Sequence, residues 1–285
     1  MSEERDSPRA LPEVDVVIVA YNAGALLSAA VGSAAAQAGA DHVWVMDAES
    51  TDGSVDALAT SGLAVHVERV PNAGFSASNN RGIEASGAQP EAAPYVLILN
   101  PDAELLTGAL DRLVATAEAH PKAGIVGAAI LNPDCSPQAN AFGRFPTLVN
   151  TLTLRVVRLA QVLAGNRSHS PRLPSDATPV DWVTGAALLV RREAIADAGE
   201  MDESLFLYYE DVEWCHRMRD GGWDVLLEPA AQVLHHLGQA GAPAGKAAQA
   251  YRASFFRYCD IYGLWGLKAS VRLGLALRRT FGGRG

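Results

Sequence analysis

The chain has 285 residues, 49% hydrophobic and 19% charged, which is apolar enough to build a buried core and excludes a disordered or fibrous protein. Lys plus Arg number 23 against 32 Asp plus Glu, a formal net charge of −9 that argues against a protein built to hold a nucleic-acid polymer. The charge is uneven: from Lys246 onward there are eight Lys or Arg and one acid, Asp260.

In chain order, residues 1–13 are polar and read as a flexible N-terminus without the apolar run of a signal peptide. Residues 14–20, VDVVIVA, form the short apolar, β-branched run of a strand buried on both faces, and Tyr21-Asn22 ends it. An Ala-rich helix over 26–38, a strand over 42–46, a polar turn from Asp47 and a helix over 55–60 continue a β-α-β-α alternation. A strand over 64–70, a helix over 76–86 and a strand over 95–99 follow, the last stopping at Asn100-Pro101-Asp102. The pattern predicts an α/β fold with a Rossmann-like, mostly parallel sheet flanked by helices. Its polar strand ends, Tyr21-Asn22, Asp47, Pro71-Asn72 and Asn100-Pro101-Asp102, should converge on one crevice. Neither a G-x-G-x-x-G nor a G-x-x-x-x-G-K-[ST] motif accompanies these strands, which disfavours a nicotinamide fold or a P-loop.

Later signals are less regular. Residues 148–163 carry an amphipathic helix pattern, 165–179 is a polar, Pro-rich segment that reads as a mobile loop, and 181–190 reads as one strand containing Gly185. A helix over 211–220 and short strands over 225–227 and 232–235 come next. The end of the chain, 246–285, reads as a basic helical tail, either a surface for anionic lipid or a solvated helix face over core aromatics. Its most apolar stretch is interrupted by Lys268 and Arg272 and is too short to span a bilayer, so any membrane contact is expected to be peripheral. Cys135, Cys215 and Cys259 stand at unrelated spacings, with neither a disulfide framework nor a zinc pattern, which fits a reducing, cytoplasmic compartment.

Seven segments in order carry a family resemblance: VVIVAYN (16–22), MDAESTDGS (46–54), NAGFSASNNRGI (72–83), LILNPDAEL (97–105), DWVTGAALLVRREAI (181–195), MDESLFLYYEDVEWCHR (201–217) and VLHHLG (233–238). Together they resemble the inverting family 2 glycosyltransferases of GT-A fold, in particular the bacterial rhamnosyltransferase-like branch. The tail resembles, more loosely, transferases that add L-rhamnose to a diphosphate-linked polyprenyl acceptor in cell-wall synthesis. The resemblance implies a catalytic domain over 14–245, with a nucleotide-binding half (14–105) and an acceptor half (106–245), followed by the tail.

It also implies roles. A divalent cation, Mg²⁺ or Mn²⁺, would offset the charge of the departing diphosphate. Asp102 is the implied metal ligand, joined by His235 or its neighbour His236, while Asn100 offers a neutral oxygen or bonds the ribose. Asp211 is the implied general base, with Glu210 orienting it or binding acceptor; the bland alternative is that both acids only complement a helix dipole. Asp47 would accept the N3 hydrogen of uracil or thymine, implying a UDP- or dTDP-sugar, with Tyr21 and Asn22 flanking the base. Asn72, Gly74, Asn80 and Arg81 would line the ribose and diphosphate, and the helix that Asn79 and Asn80 begin or lie within would aim its N-terminal amides at phosphate. Asp52 reads as a helix-capping residue, and Trp182, Thr184 and Gly185 would shape the acceptor side, although Trp182 equally reads as core. The favoured reading is rhamnosyl transfer from dTDP-rhamnose to a glycan acceptor, possibly lipid-linked. The competing readings are transfer to a soluble natural product, and a non-catalytic sugar- or lipid-binding homologue.

Overall fold

The computed structural model describes residues 11–151, 153, 172–236 and 244–281. A strand with no polar face can be buried only between two layers, and β1 (Val14–Ala20) is buried at every residue. With α1 (Leu26–Ala38), β2 (Val43–Asp47), α2 (Ser54–Thr60), β3 (His66–Arg69), α3 (Phe75–Gly87) and β4 (Tyr95–Leu99) it forms a parallel half-sheet. The chain continues through β5 (Ala103–Leu105), α4 (Ala109–Ala119), β6 (Ala123–Leu131), β7 (Phe142–Gly143), β8 (Thr178–Pro179), β9 (Trp182–Val183) and β10 (Ala187–Arg191). It ends with α5 (Arg192–Ala198), α6 (Glu210–Asp220), β11 (Asp224–His235), α7 (Ala244–Ile261) and α8 (Trp265–Phe281).

Among the described residues the main sheet runs β3-β2-β1-β4-β10-β6-β11-β5, with β8 on β11 and a separate β7-β9 ribbon. Antiparallel β10 joins the two halves by pairing with β4 on one side and β6 on the other. Strand alternation divides the core into two layers. Val16, Ile18, Leu97 and Leu99 meet Leu27 and Leu113 of α1 and α4, whereas Val17, Val19, Val96 and Ile98 meet Ile83, Ile195 and Trp214 of α3, α5 and α6. Each such side chain, fully buried, contributes about 1.5–3 kcal/mol relative to exposure. At Gly82 a Cβ would lie 2.4 Å from Val17 Cγ1, so α3 settles on the sheet only because that position has no side chain.

The α/β class and the first four strands match the sequence reading. Three features differ. The stretch 106–147, left unassigned from sequence, contains α4 and the central strand β6; its segment AGIVGAAIL is diluted by Gly and Ala, so its apolar signal is weak although every residue is buried. The run 181–190 is two strands, broken at Thr184-Gly185-Ala186, where the Gly185 N–H turns to a side chain. Residues 225–227 and 232–235 are one strand, β11, interrupted by a register shift between Glu228 and Gln232. Of the amphipathic pattern over 148–163 and the loop over 165–179, residues 152, 154–163 and 165–171 lie outside the described residues.

The tail is joined to this body. Tyr209 packs on Phe255 and Tyr258 of α7, and His216 of α6 stacks on Tyr262 at 3.7 Å between ring centroids. Lys268 is paired with Asp260, and Arg272 lies 5.2 Å over the Phe256 ring, so part of the basic excess faces inward.

At the opposite end of β1, buried Asp15 receives Arg192 Nη2 at 2.8 Å and lies 2.9 Å from His42 Nδ1. Burial lowers the His42 pKa, but the hydrogen bond and charge of Asp15, with Asp41 and Glu13, outweigh it and hold the pKa above 6.5. A raised histidine pKa stabilises the fold fully below the unfolded value and loses that contribution as pH rises through the folded value. The melting temperature should therefore fall as pH rises through the range above 6.5, and His42→Ala should flatten that fall. His216 works in the opposite direction: burial lowers its pKa, so its cost appears as pH falls below 6.5 and does not obscure the His42 window.

Candidate active site

The loops after β1 and β2 are bolted together by side chains. Asn22, with φ of 50°, donates its N–H to Ser50 Oγ at 3.1 Å and accepts from Thr51 N–H at 2.8 Å. Asp52 accepts from Gly24 N–H at 2.8 Å and from the Ser54 N–H and hydroxyl. It is not the helix cap: Gly53, in the left-handed region, holds that position and Asp52 forms a turn one residue earlier. Asp47, 1% exposed, accepts from Ser50 N–H at 2.9 Å and faces Arg69 Nε at 3.4 Å, while Tyr21 beside it is exposed.

A second cluster forms where β4 ends against the end of β11. Asp102 and His235 are both buried, with His235 Nε2 3.1 Å from Asp102 Oδ1 and 3.2 Å from Asn100 Nδ2. Gln138 sets the imidazole. Its amide nitrogen donates to Asn132 Oδ1 and the His235 carbonyl, so its Oε1 is left to accept the His235 Nδ1–H at 2.9 Å. In the neutral ring Nε2 then carries a lone pair facing a carboxylate oxygen, an arrangement that a cation between them relieves. Two protein donors suit an ion such as Mg²⁺ or Mn²⁺ that takes its remaining ligands from phosphate and water. Among the described residues no group of three or more His, Cys, Asp or Glu is close enough to hold a metal without such help. His235 is the histidine aimed at Asp102; His236 contributes its backbone N–H to the Asp102 carbonyl.

The third cluster is Glu210-Asp211 at the start of α6. Tyr208 and Tyr209, with φ of 69° and 67°, are two consecutive bulky residues in the left-handed region, a strained turn that presents the acids. Asp211, half-buried, accepts from Gly185 N–H at 2.9 Å and Val212 N–H at 2.7 Å. Burial raises its pKa, opposed by those two N–H groups and the Thr184 hydroxyl. Glu210 is buried with Oε2 unpartnered, and burial followed by the charge of Asp211 pushes its carboxyl well above the usual range. Ionisation of Glu210 is thus disfavoured both by burial and by the like charge of Asp211.

The second and third clusters share one space. Asn100 N–H donates to the carbonyl of Ala186, the residue after the Gly185 that holds Asp211. The Tyr208 pKa is raised by burial and then by the charges of both Glu210 and Asp102.

The other singled-out residues make contacts within the protein. Asn80 uses both ends of its amide on Met201 and reaches Glu203, while Arg81 pairs with Glu68 and Glu84. Gly74, with φ of +110°, is pressed against Phe206: a Cβ there would lie 2.7 Å from the Phe206 carbonyl oxygen. Phe75 N–H, first in α3, donates to that same oxygen, so the close approach and the leading amide serve the protein's own 201–209 loop. Asn72 is half-buried in the connection after β3. Trp182 donates its indole N–H to the Arg144 carbonyl and packs against the core. Arg217 is structural, pairing with Glu213 at 2.9 Å and donating to the Ala198 and Glu200 carbonyls. Gln138 escaped the sequence reading because its partner is 97 positions away and no local pattern marks it.

Residues 15–195 match the Glycosyl transferase family 2 domain. The chain belongs to that family. It is 30% identical over 264 residues to the N-acetylglucosaminyl-diphospho-decaprenol L-rhamnosyltransferase of Mycobacterium tuberculosis (strain ATCC 25618 / H37Rv), covering 83% of this chain and 81% of the relative. The fold is also that of solved GT-A glycosyltransferases. GalNAc-T7, crystallised with UDP, GalNAc and Mn²⁺, superposes with a TM-score of 0.60 at 19% identity over 86% of this chain and 48% of that one. The mannosyltransferase PcManGT of Pyrobaculum calidifontis, in complex with GDP-Man and Mn²⁺, gives 0.54 at 17% identity over 95% and 82%. This family 2 glycosyltransferase has, among its described residues, no helix long and apolar enough to cross a membrane.

Proposed function

We propose that this glycosyltransferase moves L-rhamnose from dTDP-rhamnose to a hydroxyl of a polyprenyl-diphosphate-linked glycan, with inversion at the anomeric carbon. The observation that carries the reading is a carboxylate, Asp211, held by Gly185 and Val212 N–H groups on a turn that is tied to the Asp102–His235 pair through the Asn100 N–H to Ala186 carbonyl bond. The relative from Mycobacterium tuberculosis, named for that donor sugar and a lipid-linked acceptor, supports the choice of substrates.

Asp211 takes the proton from the acceptor hydroxyl as its oxygen bonds to the anomeric carbon; the bond from that carbon to the diphosphate oxygen breaks, and the nucleoside diphosphate leaves with the electron pair. One base suffices because inversion is a single displacement. Burial and the charge of Asp211 both disfavour a second negative charge on Glu210 beside that base. Asp102 and His235 would hold a divalent cation, with Gln138 fixing the imidazole tautomer and Asn100 beside it. Such a cation, when bound, supplies positive charge to the departing diphosphate. Asp47, deep between β1 and β3, offers a carboxylate to the N3 hydrogen of a pyrimidine. We place the 14–245 body at the cytoplasmic face of a membrane, with Trp265 and Leu273 of α8, 64% and 61% exposed, as its apolar contacts.

The test is a donor panel with mass detection, run with Mn²⁺ and a short-chain polyprenyl diphosphate N-acetylglucosamine. Product with dTDP-rhamnose alone, of inverted anomeric configuration, supports the reading. Transfer from another donor, or only to acceptors lacking the diphosphate, refutes it.

A further inference from the structure

Helix α7 and the 201–209 loop enclose a groove of about 500 Å³ lined by Ser204, Phe206, Lys246, Gln249, Ser254 and Arg257. From it we infer a subsite for the diphosphate of the acceptor, gripped by Lys246 and Arg257, with the Phe206 ring under the first apolar units of the chain; this rests on the acceptor class proposed above.

The charge balance is the first argument. Lys246 and Arg257 enter no ion pair among the described residues, unlike Arg81, Arg217 and Lys268, each of which has a carboxylate partner. Arg257 uses only Nε, donating to Ser204 Oγ at 3.0 Å, which steers the guanidinium toward the loop and leaves both terminal nitrogens for a ligand. Asp202 and Glu203, in the same loop, are not among the residues that line the groove. A groove lined by two unpaired cations and no acid is complementary to a doubly charged anion.

Rigidity and position are the second. The Phe206 carbonyl is bonded to Phe75 N–H, the Leu207 carbonyl to the Ser254 hydroxyl, and Gly74 closes on the Phe206 backbone, while the Phe206 side chain stays 50% exposed. The Phe75 ring edge in turn reaches Gly185, at 3.4 Å from where its Cβ would be, and Asp211 Cβ lies 3.8 Å from the same point. The loop that borders the groove is thus linked through Phe75 to the turn that holds Asp211.

The experiment compares the full-length chain with Lys246→Ala/Arg257→Ala and the conservative Lys246→Arg/Arg257→Lys. Binding of geranyl diphosphate, which carries no sugar, should weaken about tenfold or more in the alanine double variant and largely survive in the conservative one, while geraniol binds both alike. With the diphosphate-linked acceptor, KM should rise about tenfold or more with kcat within about twofold, and KM for a neutral octyl glycoside of the same sugar should not move. Unchanged geranyl diphosphate binding, or an equal rise for the neutral glycoside, overturns the subsite. So does loss of binding to phosphatidylglycerol vesicles with geranyl diphosphate binding intact, which would make these residues a lipid-surface contact. A wild-type chain that binds geranyl diphosphate through Lys246 and Arg257 but glycosylates no diphosphate-linked acceptor would uphold the subsite and reject the acceptor reading.

Discussion

Asp211→Asn should lower kcat by about 10²–10⁴-fold and leave the affinity for nucleotide diphosphate within about twofold, as read by steady-state kinetics and calorimetry. The amide keeps the shape of the carboxylate and one oxygen for Gly185 or Val212, so the turn at Tyr208-Tyr209 and the start of α6 should persist. What it loses is the carboxylate charge able to take the acceptor proton. Because burial raises the Asp211 pKa, the acid limb of the kcat profile should fall above the ordinary carboxylate range of about 4. Activity should be lost as pH falls through that limb, where Asp211 becomes protonated. Equal loss of nucleotide affinity and kcat would show that Asp211 belongs to donor binding, and the base would have to be sought elsewhere.

Asp102→Ala should act earlier in the cycle, abolishing the Mn²⁺ requirement for donor binding and reducing kcat/KM by about 10²-fold or more. Direct titration of Mn²⁺ with and without UDP or dTDP provides the readout independent of turnover. Gln138→Leu makes a finer test. It removes the acceptor for His235 Nδ1–H while leaving both proposed ligands in place, and an outer partner of this kind is worth about 10–100-fold in metal affinity. Metal affinity unchanged in both variants would reject the assignment.

How far the primary structure reveals this site depends on the range of the interactions. VDVVIVA, VWVMD and YVLIL are strands wherever a core is available, and the polar residues that stop them must gather at one edge because the strands are parallel. The gathering of Asp47 and Asp102 at that edge was legible for that reason, whereas the Glu210-Asp211 pair, at the start of a helix, was marked only by its likeness to a family motif. β6 was not, since its Gly and Ala residues suit strand pairing only when β10 and β11 already flank it. Asn80, Arg81 and Gly74 sit in a segment whose likeness to phosphate-lining motifs is local, whereas their contacts are with Met201, Glu68 and Phe206, which a linear pattern does not contain.

Local chemistry thus dictates the α/β class and the polar strand ends, because hydrophobic alternation and turn residues act within a few positions of the chain; the acids were marked by the family resemblance. Long-range packing settles the rest: which of His235 and His236 meets Asp102, that Gln138 orients it, and that Gly185 N–H breaks a strand to hold Asp211. It also settles that α7 lies on the 201–209 loop and leaves Lys246 and Arg257 lining a groove. Protonation states and ligand sets depend on burial and on partners brought together from 26 to 135 positions apart, and those distances exist only once the sheet has closed.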